Sequence, residues 1–174
     1  MYMQLFFLLF VLYIEVKNMK KAFVLVVLFL GIIFSSCGKE AVPPKDMTPT
    51  EHEKVNDLEG VTMIVKEDKV SPTGLTVILE NNSQKECIYS ESFLLEEKIN
   101  DQWYQVPVVI EGDYGFDDIA YPLNLGDKGE WQVNWEWLYG SLDEGEYRII
   151  KDILNCKENG EVDTHYLAVE FTIS

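Results

Sequence analysis

Basic residues and histidines are scarce in this 174-residue chain. It has 14 Lys and Arg against 30 Asp and Glu, a formal net charge of −16, and two histidines. Phosphate binding needs clustered Lys and Arg, so nucleic acid is excluded as a partner. His52 and His165 stand 113 positions apart, no Gly-x-Ser-x-Gly elbow occurs and no phosphate-binding loop is readable. Nothing in the chain therefore points to catalysis, and no cofactor is expected. The carboxylates are numerous enough to form pairs by chance, so such pairs carry no catalytic weight. Cysteine is also sparse: Cys37, Cys87 and Cys156. None has neighbours at zinc-ligand spacing, so no metal is expected. Finally, no apolar run reaches the roughly 20 residues a membrane span requires.

What is present begins with a leader. Met19-Lys20-Lys21 is a short basic start, Ala22 to Phe34 is thirteen residues without charge, and Phe34-Ser35-Ser36-Cys37-Gly38 supplies small residues and a cysteine. That order of basic, apolar and small segments is a secretory signal peptide. With Cys37 at the cut, it resembles the lipobox of bacterial lipoproteins, although Phe34 departs from the usual Leu. The resemblance implies a diacylglycerol on the Cys37 sulfur and residence on the outer face of the cytoplasmic membrane. One acyl chain anchors marginally and two hold stably. Residues 1–18 add a second apolar run, Leu5 to Ile14. Translation from Met19 accounts for it as a gene-start extension. The alternative is one long span carrying Glu15, Lys17, Lys20 and Lys21, each costing a few kcal/mol at a membrane centre. Without residues 1–36, which hold Lys17, Lys20, Lys21 and Glu15, 11 basic and 29 acidic residues remain.

The expected organisation is a leader over 19–36, a lipidated cysteine and flexible linker over 37–57, and one domain over 58–174. The linker reading rests on Pro43, Pro44, Pro49 and a lack of periodic apolar residues. Thr50 followed by Glu53 could cap a short helix running to Leu58. If flexible, about 20 residues reach roughly 25 Å root-mean-square.

Beyond Leu58 the apolar residues recur every second position. Seven such segments appear: Val61 to Val65, Leu75 to Leu79, Ser92 to Ile99, Gln102 to Val108, Trp131 to Trp137, Tyr147 to Ile153 and Leu167 to Ile173. Asn81-Asn82-Ser83 and Asn100-Asp101 are turns. Period two with frequent turns and no long helix predicts an all-β antiparallel sandwich, each sheet burying one face. Leu142 to Ile149 contains Asp143-Glu144-Gly145-Glu146-Tyr147, which resembles the tyrosine corner of immunoglobulin-like domains with Glu144 in place of the usual Pro. Ile149 stands where antibody domains carry their second core cysteine. Cys87 and Cys156 therefore do not reproduce that disulfide. They could pair in an oxidising compartment, adding about 4 kcal/mol by the chain-entropy argument, or remain two thiols.

Leu75 to Ser83, Trp103 to Pro107, Leu125 to Lys128, Trp135 to Gly140 and Gly145 to Ile149 together resemble a bacterial immunoglobulin-like domain. That family recurs in secreted and lipid-anchored proteins of Gram-positive bacteria. Trp135-Glu136-Trp137-Leu138-Tyr139-Gly140 is its most specific part. Gly126-Asp127 stands where Pro-Gly-Glu is usual. The resemblance implies an Ig-like β-sandwich and no catalytic activity.

Two groups of residues remain. Glu111, Asp113, Asp117 and Asp118 crowd one loop, but their spacing is not that of an EF-hand, and they read as a solvated face. The aromatics are the better lead, at 13% of the chain. Trp135 is expected in the core. Tyr114 and Phe116 lie in a long loop, and Trp137 and Tyr139 near a strand end, where sandwiches bind ligands. A protein or cell-wall glycan is the expected ligand. The function read from the sequence is binding or scaffolding. A proteinase inhibitor and an accessory subunit of a cell-wall or transport complex are the alternatives.

Overall fold

A computed structural model describes residues 43–156 and 161–174, with Cys156 described by its backbone alone. Among the described residues ten strands form two antiparallel sheets. The larger contains β1 (Thr48–Pro49), β4 (Cys87–Tyr89), β5 (Leu94–Ile99), β6 (Gln102–Gln105), β7 (Tyr121–Leu123), β9 (Gly145–Cys156) and β10 (Val162–Ile173). The smaller is β2 (Val61–Val65), β3 (Gly74–Asn81) and β8 (Lys128–Asn134), in the order β2-β3-β8.

β9 organises the larger sheet. Along one edge it pairs with β10 over its whole length. Along the other it pairs with β5 at Tyr147 to Ile150 and with β4 at Leu154 and Asn155. The β5–β6 connection is the two-residue turn at Asn100-Asp101, both with positive φ (52° and 61°). That is the backbone twist a tight hairpin selects.

The core lies between the sheets. Val77, Leu79, Trp131 and Val133 come from the smaller sheet, and Leu95, Tyr147, Ile149 and Ile153 from the larger. Trp135 is completely buried, stacks on Phe171 at 5.5 Å, and donates its Nε1–H to the Pro72 carbonyl at 2.8 Å. The tyrosine corner forms as expected: the Tyr147 hydroxyl donates to the Asp143 carbonyl at 3.1 Å. Burial pushes this phenol up to about 12.

All seven expected strands are present. β1, β4 and β7 are additional, each two or three residues long and too short to show a period. Two expectations give way. Residues 50–58 form bends, with no helix. Part of the stretch read as linker is packed on the larger sheet: β1 pairs with β6, and Thr50 N donates to the Trp103 carbonyl at 2.9 Å. The reason is a buried ion pair that sequence patterning does not display. Glu96 and Arg148 face each other across β5 and β9. Arg148 Nε donates to Glu96 Oε2 at 2.7 Å, and Nη2 reaches Thr50 Oγ1 at 3.1 Å and the His52 carbonyl at 3.2 Å. Thr50 Oγ1 in turn donates to Glu96 Oε1 at 2.6 Å. Thr50 is thus tied to Glu96 and Arg148 and caps no helix.

Candidate functional site

The site is built where β8 stops behaving as a strand. Alternation carries Trp131 and Val133 inward, and Trp135 N–H still bonds to the Thr73 carbonyl at 3.0 Å. The chain then closes one helical turn, α1 (Glu136–Tyr139), through Tyr139 N–H to the Trp135 carbonyl (2.8 Å) and Gly140 N–H to the Glu136 carbonyl (3.0 Å). Gly140 ends the turn at φ 73°, a region costly for residues with a Cβ. A helical turn rotates successive side chains by about 100°, against 180° in a strand. Trp137 therefore leaves the face it would share with Trp135: it is 44% exposed, while Leu138 and Tyr139 are buried. The strand-face expectation for Trp137 and the surface expectation for Tyr139 are both corrected by this one change of period.

The long segment between β6 and β7 crosses to meet α1. Val106 N–H bonds to the Leu95 carbonyl at 3.0 Å and Val109 N–H to the Leu138 carbonyl at 2.8 Å. These anchors bring Tyr114 and Phe116 against Trp137. The three rings meet edge to face, with centroids 6.4 Å apart for Tyr114–Phe116 and Tyr114–Trp137 and 5.6 Å for Phe116–Trp137. Such geometry is favourable for aromatic quadrupoles. Val109, Tyr114, Ile119 and Trp137 each expose 44% or more, so an apolar patch stands open around them.

Between this segment and β8 runs a groove of about 420 Å³. Phe93, Phe116, Tyr121 and Trp131 supply its apolar lining, and Glu91, Asp117, Gln132 and Asn134 its polar groups. The hydrogen bond to Glu91 raises the Tyr121 phenol above its usual range, with burial adding to it. The Trp131 Nε1–H points to Glu91 Oε2 at 3.5 Å. Lys151 Nζ lies 5.2 Å from the Trp131 ring centroid and donates to the Ser92 carbonyl and Asp152 Oδ1, each at 2.6 Å. Burial lowers its pKa, opposed by Asp152. A larger cavity of about 570 Å³ lies beside Val70 to Pro72 and the end of β10. Its two rings, Tyr147 and Phe171, belong to the core and stack on each other at 5.8 Å, so it presents no exposed aromatic surface.

Of the expected binding residues, Tyr114, Phe116 and Trp137 come together and Tyr139 does not join them. Glu91 and Phe93 were not foreseen at the site: nothing in their local pattern marks a groove. Cys37 lies outside the described residues. Cys87 is buried opposite Asn155, and the side chain of its expected partner Cys156 is likewise outside the description. His165, on β10, has its Nδ1 3.1 Å from Asp57 Oδ1 and takes no part in the groove. Among the described residues no three His, Cys, Asp or Glu side chains converge as a metal site would require, and no helix is long and apolar enough to cross a membrane.

A two-sheet antiparallel sandwich with a tyrosine corner and a loop-built aromatic groove defines an immunoglobulin-like binding or scaffolding module. The family model described as "Bacterial Ig-like domain" matches residues 57–172, and the chain belongs to that family, which is generally non-catalytic. No curated protein and no solved structure matched.

Proposed function

We propose that this chain is a non-catalytic binding module held at the outer face of the cytoplasmic membrane by lipid on Cys37, taking a protein or cell-wall glycan ligand in the groove beside β8. The observation that carries the binding site is the cluster of Tyr114, Phe116 and Trp137, whose rings meet over a groove while Tyr114 and Trp137 remain about half exposed. Exposed aromatic patches gathered by loops on a rigid scaffold are where sandwiches contact ligands. The anchor rests on the basic, apolar and small segments that precede Cys37.

Both halves are testable. Cys37→Ser should abolish palmitate labelling and release the protein or leave its leader uncut; unchanged labelling refutes the anchor. Trp137→Ala and Tyr114→Ala should weaken capture of a surface protein or co-sedimentation with purified peptidoglycan. Retention of both at wild-type strength by both variants removes the groove as the site.

A further inference from the structure

The outer edge of a sheet presents unpaired backbone N–H and C=O groups, and proteins blunt such edges with prolines, short strands or coverings. Most edges here are blunted. β1 has two residues, one of them Pro49, and β7 has three with Pro122 at the centre. β10 is clipped by Asn56, whose backbone N–H bonds to the Tyr166 carbonyl at 2.7 Å. The Asn56 side chain accepts from Ala168 N–H (2.9 Å) and donates to its carbonyl (3.0 Å). β2 runs beside β10.

β8 is different. It has seven residues, no proline, and among the described residues pairs only with β3. Its ladder is bracketed by Asn81 N–H to the Asp127 carbonyl and Trp135 N–H to the Thr73 carbonyl. Since backbone groups alternate sides in an antiparallel strand, Gly129, Trp131 and Val133 bond to β3. Lys128, Glu130, Gln132 and Asn134 turn theirs away from it. That open edge is one wall of the aromatic groove, which Trp131 to Asn134 line. The groove lining contains Glu91 and Asp117 and no Lys or Arg, in a chain of net charge −16.

We infer that the groove takes an extended, basic peptide segment of a partner protein, which adds to β8 as a further strand. The inference rests on the groove being the binding site. Main-chain hydrogen bonds to Gln132 and Asn134 would supply the ladder. Alternate peptide side chains would enter toward Phe93, Phe116 and Trp131, and the intervening basic ones would meet the carboxylates. A polysaccharide could stack on Trp137, but it would have no use for a row of outward backbone groups.

The test uses the purified full chain and labelled synthetic peptides long enough to cover β8, alternating an aliphatic residue with lysine, threonine or glutamate. The lysine series should bind tightest, the glutamate series least, and added salt should weaken the former. N-methylating every second backbone nitrogen of the lysine peptide should weaken binding about tenfold or more in one phase and have little effect in the other. Gln132→Pro removes an outward N–H that an edge strand can spare, and should give a similar loss with an unchanged thermal midpoint. If that variant unfolds, amide exchange decides: the peptide should protect Gln132 and Asn134 in the wild type.

Equal tolerance of both methylation phases, or no protection of those amides, overturns strand addition. Binding of the glutamate series as tightly as the lysine series overturns the basic partner. Trp137→Ala separates the two readings. If it abolishes capture of peptidoglycan fragments while no peptide binds, the groove stands and strand addition falls. If nothing that binds the chain responds to it or to Tyr114→Ala, and no peptide protects Gln132 and Asn134, both fall.

Discussion

Removing the Glu96 carboxylate tests the unforeseen feature that ties the segment before β2 to the domain. Glu96 has no exposed surface, and the Arg148 side chain is 8% exposed. Arg148 also stacks on Trp103, its guanidinium carbon 4.5 Å from the ring centroid. In Glu96→Ala this cation keeps its ring and the Thr50 and His52 oxygens but loses its counter-charge in a place water cannot reach. Breaking one member of a buried pair costs about 3–5 kcal/mol. At roughly 4 °C per kcal/mol for a domain of this size, the thermal midpoint should fall by about 12–20 °C. Urea titration followed by tryptophan fluorescence measures the free energy directly. The second half of the reasoning concerns the pair as a unit. Apolar replacement of a buried ion pair is often neutral, so Glu96→Leu combined with Arg148→Met should be more stable than either single variant, with a coupling of about 2 kcal/mol or more. Thr50 loses both side-chain partners in the double variant, so cleavage at Lys54 by trypsin should accelerate even though the core survives. A Glu96→Ala loss below about 1 kcal/mol, or strict additivity in the double variant, would refute the account of a charge pair sealed from solvent.

Two further predictions concern the tryptophans and the tyrosines. Trp135→Ala should cost about 3–5 kcal/mol, since it empties the centre of the core and removes one of the two hydrogen bonds to the Pro72 carbonyl, which keeps only Leu142 N–H. Trp137→Ala should shift the midpoint far less, so equal losses in denaturant titration would contradict the switch of period at α1. The Tyr139 and Tyr147 phenols are both pushed up to about 12, burial being the first cause in each. A phenol with a raised folded pKa contributes stability that is complete below its unfolded value of 10 and is lost as pH rises toward 12. Alkaline unfolding should therefore set in between those limits, with two tyrosines ionising only as the near-ultraviolet tertiary signal collapses. Ionisation of Tyr139 and Tyr147 near pH 10 with the fold intact would disprove it.

The sandwich was legible because strand faces are written in period two. Val77 and Leu79, Trp131 and Val133, and Tyr147 and Ile149 alternate with polar or outward residues and become the core wherever the strands pair. The tyrosine corner was legible too, since its hydrogen bond spans four residues and needs only local geometry. The three short strands were not, because two or three residues carry no period and exist only where β9, β6 or β4 offers an edge.

The site was half legible. Tyr114, Phe116 and Trp137 could be picked out as aromatics near loops. Their meeting depends on Val109 bonding to Leu138, a contact no local pattern announces. Tyr139 fails as a surface residue because one helical turn replaced the last strand residues, and an apolar-rich run reads equally well in either period. By itself the sequence determined the class of fold, the faces that leave water and an acidic surface, since these follow from the order of apolar and charged residues along the chain. Only the tertiary structure decided that Glu96 and Arg148 are buried together, that Asn56 closes one sheet edge while β8 stays open, and that rings from separate segments form one groove. Those outcomes depend on distances between residues far apart in sequence, and such distances are set by packing.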